Sequence, residues 1–212
     1  MAKSGSGSVW EWGLAEFRDK AAADAPTPGG GSAAMVSAAI GMGLVVMALR
    51  ITARKADDPS RYEALVLSGE RLMGELSAHA DADIGAFEGY MAALKLPKET
   101  DMDKAARRQA LQDASKAATE IPLNAAASCL EALDLARQAA PLANDHIVSD
   151  VAAGAILIHG AMSAALLNVD INVKSLKDEA AVADYRKSRR RLQESGDERR
   201  RAIDSYVAER LA

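Results

Sequence analysis

The feature that most constrains this chain is an uncharged run that follows a turn rich in proline and glycine. Residues 33–49 contain neither a charge nor a proline, which predicts a helix buried on all sides. The turn before it reads Pro26-Thr27-Pro28-Gly29-Gly30-Gly31-Ser32. The prolines favour an extended approach, and the glycines permit φ values and close contacts that other residues avoid. Ser32 is the residue we expect to cap the helix.

This glycine turn has two interpretations. The N-terminus of a helix presents free amide donors, which attract anions and polar groups of a ligand. A tight helix–helix connection would need the same glycines for packing alone. The local pattern leaves both open.

Composition favours helices. Apolar residues make up 49% of the 212 residues but aromatic residues only 4%, so the core must be built from small aliphatic side chains. No stretch alternates with a period of two for long enough to predict a strand. We therefore expect an all-α protein, a bundle of long helices around two strongly apolar central helices.

We expect one domain over residues 9–212. Residues 1–8 are rich in Gly and Ser without an apolar segment, so we interpret them as a disordered N-terminus rather than a secretory signal. Pro122 is expected to kink or break a helix that starts at Asp101. The predicted helices cover residues 9–23, 33–49, 60–96, 101–121, 123–139, 146–168 and 177–211.

Charge and cysteine content exclude several classes of function. A net charge of −4 argues against bulk attraction to nucleic acid or an anionic membrane, and acidic residues interrupt the basic last helix. Cys129 is the single cysteine, which excludes an internal disulfide and a cysteine metal cluster and fits a cytoplasmic protein. The three histidines lack metal-ligand spacing, so no metal site is expected.

The apolar run of residues 33–49 falls just short of the ~20 residues that a membrane span needs. Its Ala, Gly and Ser content favours contact with protein, and the sequence suggests no second candidate span. A transmembrane anchor is the less favoured alternative. Two helices this apolar are difficult to bury in one small bundle, so we expect a homodimer.

Polar residues on otherwise apolar helices are the candidate functional groups. Asp83 shares a helix face with Ala86, Phe87 and Tyr90, where a carboxylate is costly unless it is paired or has a chemical role. A solvated edge or an ion pair is the alternative. Lys98 follows Leu96-Pro97 and, taken alone, is typical of a solvated loop lysine.

Three further residues lie on or near the second apolar helix. Asp150 is near its start and can simply complement the helix dipole. Asn168 and Asn172 are four residues apart and share a face if the helix continues between them. Two amides can recognise the edge of a heterocycle, or they can tie off the helix end as a structural pair.

Taken in order, these segments resemble the cyclodeaminase/methenyltetrahydrofolate cyclohydrolase family, which includes the C-terminal domain of formiminotransferase-cyclodeaminase. The resemblance covers about residues 9–180. Each motif is weak alone, and the ordered set is specific. The motifs are Ala25-Pro26 with Pro28-Gly29-Gly30-Gly31-Ser32, Asp81-Ala82-Asp83 with Ala86-Phe87, Leu96-Pro97-Lys98, Ile121-Pro122-Leu123, Asn144 with Ser149-Asp150, and Asn168-Val169 with Ile171-Asn172.

The resemblance implies a dimeric all-α folate enzyme that uses no metal or nucleotide cofactor. The chain is similar to single-domain members, so we expect reversible hydrolysis of 5,10-methenyltetrahydrofolate to 10-formyltetrahydrofolate. Release of ammonia from formimino-tetrahydrofolate by a cyclodeaminase is the alternative, and a non-catalytic helical interaction protein is the alternative of another class. The implied catalytic residues are Asp83 and Lys98, and the implied substrate-binding residues are Pro28, Gly29, Gly30, Gly31, Ser32, Asp150, Asn168 and Asn172.

The chemistry of that reaction suggests roles for these residues. Water must lose a proton as it adds to the cationic bridging carbon, and the departing ring nitrogen must gain one. Asp83 can do both in sequence, and its charge attracts the cation. Lys98 can tune that carboxylate, donate to the addition intermediate or bind the glutamate tail of the folate; the sequence does not choose among these.

Overall fold

The computed structural model describes residues 7–212, and within that range all regular structure is helical. The prediction of an all-α fold is therefore confirmed for the described residues. A short 3-10 turn, Val9–Glu11, precedes six helices, and a second 3-10 turn, Val173–Ser175, separates the last two. The helices are α1 Leu14–Ala21, α2 Gly30–Ala53, α3 Ser60–Leu94, α4 Asp101–Ala139, α5 Val148–Asn172 and α6 Glu179–Leu211.

The two apolar helices α2 and α5 lie against each other at the centre of the bundle. Helix α3 packs on α2, α4 packs on α3 and α5, and α6 packs on α4 and α5. A Cβ added to Gly41 would lie 2.7 Å from the carbonyl oxygen of Gly154, and a Cβ on Gly154 would overlap the carbonyl of Gly41. The two backbones touch at this crossing, which only glycine at both positions permits.

The core is built from long aliphatic side chains on five helices, with almost no aromatic contribution. Leu49 of α2, Leu72 and Leu76 of α3, Leu133 of α4 and Ile158 of α5 are fully buried. Burial of each such side chain contributes about 1.5–3 kcal/mol to folding, so aliphatic residues suffice for this core without large aromatic ones.

Helix α2 is not buried on all sides, contrary to the prediction. Ile40 is 47% exposed, and α5 exposes Ile156, Leu157, Leu167 and Ile171. The outward faces of both central helices are therefore apolar. By length and composition α5 together with the turn after it, residues 148–175, is a second candidate membrane span beside α2, which corrects the expectation of a single candidate.

Two helix boundaries differ from the predictions. Residues 9–23 form the first 3-10 turn and the separate α1, because Trp12 and Gly13 between them have extended backbone. Helix α2 begins at Gly30 with Gly29 as its N-cap, so Ser32 lies in the first turn and does not cap the helix. Leu14 at the start of α1 is 81% exposed.

Helix α4 runs without a break through Pro122, where a kink or break was predicted. Proline has no N–H to donate to the carbonyl four residues earlier, which is that of Ala118. The side-chain Nδ2 of Asn172 donates to this carbonyl at 2.6 Å, which replaces the missing bond.

The predicted disordered segment, residues 1–8, falls mostly on residues 1–6, which lie outside the described range. Ser8 belongs to the folded structure. Its hydroxyl donates to the Asp81 carboxylate at 2.6 Å, and the Val9 N–H donates to the other oxygen of that carboxylate at 2.8 Å. Asp81 therefore fastens the N-terminal segment to α3.

Candidate functional site

A cavity of about 380 Å³ lies where the start of α2, the second half of α3, the middle of α4 and the end of α5 meet. Asp83 is the single charged residue among those that line it. The wall also contains the glycine turn, a group of apolar residues and two Asn side chains. The lining residues are Pro26, Thr27, Gly29, Gly30, Gly31, Asp83, Ala86, Phe87, Tyr90, Ser115, Ala118, Pro122, Asn168, Ile171, Asn172 and Ser175.

The Asp83 carboxylate is held against the first turn of α2. The Ser32 N–H donates to its Oδ2 at 3.0 Å. The Ser32 hydroxyl lies 3.1 Å from the same oxygen and 2.9 Å from the carbonyl oxygen of Ala80, so two acceptors share one proton. The free amides of a helix N-terminus favour a negative group at this place.

Burial raises the pKa of Asp83 above its ordinary value of 3.8, and the two hydrogen bonds from Ser32 oppose this rise. The carboxylate is half-buried and reaches the cavity. A carboxylate with a raised pKa accepts a proton more readily than a solvated one, which suits it to acid–base chemistry.

Gly31 makes room for this carboxylate. A Cβ added to Gly31 would overlap the Asp83 side chain, whereas a Cβ on Gly30 would meet no atom within 4 Å. None of the described glycines has a positive φ, so the turn needs its glycines for close approach and not for unusual backbone angles. The prediction that glycine supplies unusual φ values here is wrong, and the prediction of close contact is confirmed at Gly31.

The two amides at the end of α5 differ in their bonding. Asn172 uses its Nδ2 for the Ala118 carbonyl, so it is tied to α4. Asn168 makes no side-chain hydrogen bond within residues 7–212, although it is half-buried and lines the cavity. The amide of Asn168 is thus free to bond a ligand, and Asn172 has its Oδ1 left for the same purpose.

Comparison with known proteins places these residues in a family. The sequence profile described as formiminotransferase-cyclodeaminase matches residues 13–191. A methenyltetrahydrofolate cyclohydrolase of Methylorubrum extorquens is 37% identical over 167 residues, which cover 77% of this chain and 80% of that protein. The chain belongs to the formiminotransferase-cyclodeaminase family.

Other relatives in the family are longer proteins. The formimidoyltransferase-cyclodeaminases of Gallus gallus and Sus scrofa are 34% and 32% identical over 72% and 75% of this chain, but the match covers 29% and 30% of their own lengths. The crystal structure of a formiminotetrahydrofolate cyclodeaminase from Thermotoga maritima has the same fold, with a TM-score of 0.85 over 97% of this chain and 100% of that one, at 24% identity.

The fold of this family member brings together six of the ten residues that the sequence singled out. Ser32 joins them indirectly, through its bonds to Asp83. Pro28 is buried behind the turn and does not line the cavity, and the Thr27–Pro28 peptide bond is cis. The six cavity-lining residues are Gly29, Gly30, Gly31, Asp83, Asn168 and Asn172.

Lys98 and Asp150 lie away from the cavity. Lys98 is exposed in the connection between α3 and α4, where its backbone N–H donates to Glu99. Asp150 is in the first turn of α5, and at 1.5 Å per residue it lies about 27 Å along the axis from Asn168. Within one chain these two residues do not share a site with Asp83, and their roles stay predictions.

The contribution of α4 to the cavity was not foreseen. Ser115, Ala118 and Pro122 line it from one face of this helix. The available signal was Pro122 itself, because a proline that does not break a helix frees a carbonyl and marks a place where another chain segment can bond. Ser175, in the turn after α5, completes the rim.

Proposed function

We propose that this protein hydrolyses 5,10-methenyltetrahydrofolate to 10-formyltetrahydrofolate, reversibly. The observation that carries the proposal is the Asp83 carboxylate with its raised pKa, held by Ser32 in the wall of a cavity otherwise free of charge. The name of the Methylorubrum extorquens relative, a methenyltetrahydrofolate cyclohydrolase, supports the choice of reaction.

Asp83 fits the demands of this hydrolysis. The bridging carbon of the substrate belongs to an amidinium-like cation, and a carboxylate in a poorly solvated wall attracts that charge. The carboxylate takes a proton from water as the water adds to the carbon, and it returns a proton to the ring nitrogen that departs. One group can perform both transfers because they occur one after the other.

The other residues of the cavity wall can bind the pterin ring of the folate. Phe87, Tyr90 and Ile171 offer an apolar surface for a flat ring, and Asn168 offers a donor and an acceptor for its edge. Gly29 and Gly30 also line the cavity, and a Cβ on Gly30 would meet no atom within 4 Å, so the ring can approach this backbone closely. We propose that the reaction needs no metal or nucleotide cofactor, because a charged base and an electrophilic substrate suffice for it.

The decay of methenyl-folate absorbance on addition of purified protein, measured against the uncatalysed rate, tests this function. The same preparation is given formimino-tetrahydrofolate, and ammonia release is measured. Faster loss of methenyl absorbance without ammonia release supports the cyclohydrolase, and ammonia release would favour the cyclodeaminase. A rate equal to that of buffer with both substrates would overturn the enzymatic proposal, and an unchanged rate in a chelator supports the metal-free reaction.

We also propose that the protein is a cytoplasmic homodimer that associates through the outer face of α5. This face, the α5 stripe, repeats apolar residues at alternating spacings of three and four. The charged contacts of α5 lie off this stripe, where Asp170 pairs with Arg189 and His159 with Asp197 of α6. The α5 stripe consists of Ala153, Leu157, Gly160, Ala164, Leu167 and Ile171.

Part of the α5 stripe is self-complementary about Gly160. In an antiparallel pair of helices centred on this residue, Leu167 of each copy faces Ala153 of the other, so a large side chain meets a small one at both of these contacts. Gly160 has open space in front of it, which allows the two backbones to approach. Ile171 both ends the stripe and lines the cavity, so the partner would border the rim of the site.

A further inference from the structure

Asp150 is a carboxylate of α5 that the single chain leaves without a side-chain partner. Of the two acidic residues on this helix, Asp170 is paired with Arg189, whereas the side chain of Asp150 forms no hydrogen bond or ion pair within residues 7–212. Asp150 is half-buried and lies at the opposite end of α5 from the cavity. The dipole of the helix N-terminus favours a negative group there, but no cationic side chain pairs with it.

The α5 stripe determines where Asp150 lies in the proposed dimer. In the antiparallel pair centred on Gly160, Leu157 of each copy is within one residue of the level of Ala164 of the other. This is a further contact of a large side chain with a small one. Asp150 precedes Ala153 by three residues and continues the spacing of the stripe, so it lies beside the contact with the second copy.

The two-fold axis at Gly160 brings the start of one α5 beside the end of the other. Asp150 lies ten residues before Gly160, so Asp150 of the partner subunit is level with position 170, ten residues after Gly160. Asn168 is two residues from this level. The separation along the helix axis is about 27 Å between Asp150 and Asn168 of one chain, and it falls to about 3 Å between chains.

The same arrangement turns Asp150 of the partner subunit towards the cavity. Asp150 and Asn168 are eighteen residues apart, which is five complete turns at about 3.6 residues per turn, so they lie on the same edge of α5. The two-fold axis of an antiparallel pair is perpendicular to both helices, and rotation about it leaves this edge facing the same way. The cavity lies on this side of α5, because Asn168 and Asn172 line it.

Charge favours the antiparallel orientation over a parallel one. The antiparallel pair places the acidic start of α5, with Asp150, beside the turn after the end of the other α5, which carries the exposed Lys174. A parallel pair would place the two Asp150 carboxylates beside each other, and likewise the two Lys174 ammonium groups. The stripe and the charges at its ends therefore fit a second copy of this chain in antiparallel register.

The cavity of one chain lacks a group for one edge of the pterin. The pyrimidine ring of a pterin carries an amino group and a neighbouring ring N–H, two donors that one carboxylate can accept together. Asp83, the proposed base, is the single charged residue among the described residues of the wall. Packed helices lie about 8–10 Å apart between their axes, which leaves room for this ring edge between Asn168 and a carboxylate on the second α5.

We propose that Asp150 of the partner subunit completes the site, where its carboxylate accepts hydrogen bonds from the amino group and the ring N–H of the pterin. The inference rests on the proposed hydrolysis and on the proposed α5 dimer. Each dimer then has two sites, and each site combines Asp83 of one chain with Asp150 of the other. A monomer has no complete site.

Mixed dimers test this arrangement. Asp150→Asn alone should lower kcat/KM about 10- to 100-fold, mainly through KM, because a charge-assisted pair of hydrogen bonds is lost, while the circular dichroism spectrum and the dimer mass stay those of the parent. Asp83→Asn and Asp150→Asn are then co-expressed with different tags, and the mixed dimer is purified through both tags. One of its sites carries both substitutions and the other carries neither, so kcat/KM should return to about half that of the parent.

The matched control is the mixed dimer of Asp83→Asn with Gly31→Ala, since Gly31 and Asp83 belong to the wall of the same chain. Each of its sites carries one substitution, so its activity should not exceed that of Gly31→Ala. No recovery in the first mixed dimer, or equal recovery in both, would overturn the placement of Asp150 while hydrolysis itself stands. An Asp150→Asn variant as active as the parent would overturn it as well.

If the parent hydrolyses no methenyl-folate, the proposed function fails, and binding decides this inference separately. Folic acid and its 2-desamino analogue, which lacks the amino group of the pterin, are the probes in equilibrium dialysis. The parent should bind folic acid at least about tenfold more tightly than the analogue, and Asp150→Asn should bind the two nearly equally. Equal affinities of the parent for both probes would overturn the inference.

Discussion

At the scale of single residues, the site depends on two aspartates one residue apart that have different partners. Asp83 faces the cavity and Ser32, and Asp81 holds Ser8 and Val9. Asp83→Asn keeps the shape of the side chain but removes the base and its charge. We predict that turnover falls by about 10²- to 10⁴-fold while the circular dichroism spectrum stays that of the parent.

The control for this prediction is Asp81→Asn, which removes a carboxylate of the same helix that does not line the cavity. It should lower turnover far less, and its effect should be a looser N-terminal segment. If Asp83→Asn hydrolysed substrate at nearly the parent rate, Asp83 would not be the base. If Asp81→Asn were inactive instead, the base would have been assigned to the wrong aspartate.

The raised pKa of Asp83 also predicts how stability depends on pH. The folded-state pKa lies above the unfolded value of 3.8, so between the two values the folded protein holds a proton that the unfolded chain has lost. The free energy of unfolding therefore falls as the pH rises through this window, and the loss is complete above the folded-state pKa. Asp83→Asn avoids this loss and keeps an oxygen that accepts from Ser32.

Thermal melts of the parent and of Asp83→Asn at a series of pH values measure this effect. We expect the Tm of the variant to equal or exceed that of the parent at pH 7, with an advantage that shrinks as the pH falls below the folded-state pKa. Suppose that the variant were clearly less stable than the parent at neutral pH and equally stable at acid pH. Burial would then not be the dominant influence on the pKa of this carboxylate.

Two adjacent glycines give a third residue-scale test. A Cβ at position 31 would overlap the Asp83 carboxylate, and a Cβ at position 30 would meet open space. Gly31→Ala should displace the carboxylate and lower turnover at least about tenfold, whereas Gly30→Ala should retain most activity, because alanine favours the helix. Steady-state rates of both variants decide this, and equal losses would show that the turn matters for some reason other than room for Asp83.

At the scale of helices, Pro122 and Asn172 explain how α4 and α5 are joined at the site. The proline leaves the Ala118 carbonyl without its helical donor, and Asn172 donates to it instead. Asn172→Ala should cost about 1–2 kcal/mol of stability, since it leaves this carbonyl unsatisfied. The cost should be smaller in a Pro122→Ala background, where the new N–H bonds the carbonyl within α4.

Urea unfolding of the parent, the two single variants and the double variant completes this double-mutant cycle. Coupling between the two positions is the expected result. If Asn172→Ala cost the same with and without Pro122, the amide would be stabilising the bundle through other contacts. The activity of Pro122→Ala is not part of the comparison, because that residue lines the cavity.

At the scale of the whole molecule, the exposed α5 stripe is the feature that a monomer leaves unexplained. Leu167 on the stripe is 58% exposed, and Leu67 on the outer face of α3 is 65% exposed. We predict that Leu167→Asp converts a dimer into a monomer, because it places a charge opposite Ala153 of the second copy. Leu67→Asp, at a similarly exposed position on another helix, should leave the dimer intact.

Light scattering at micromolar concentration measures both outcomes. Far-ultraviolet circular dichroism of each variant shows whether the helices persist, which separates loss of association from loss of folding. A parent that is monomeric over this range would overturn the dimer. A dimer that persists in Leu167→Asp and dissociates in Leu67→Asp would place the interface on α3 instead.

Much of the architecture follows from the sequence because helix formation is a local property. The spacing of apolar residues was enough to predict α3, α5 and α6 to within a few residues. The all-α fold follows in the same way, since no stretch has the period of a strand. The ordered motifs also identified the family, because they bring together residues that local patterns treat separately.

Distances between helices are not a local property, so only the tertiary structure decided them. The helix face of Asp83 singled out this residue over Asp81 in the sequence, but only the packing of α2 on α3 shows that it meets Ser32 and the cavity. Pro122 alone predicts a broken helix, and only the tertiary structure shows that Asn172 of α5 supplies the missing donor. The family resemblance implied that Asp150 and Lys98 belong to the same site as Asp83. In the structure, Asp150 lies at the opposite end of α5 from the cavity, and Lys98 lies beyond the end of α3. The sequence by itself determined most of the helices, the family and the kinds of side chain at the site. The tertiary structure decided which of those side chains meet, because that depends on packing between segments far apart in the chain.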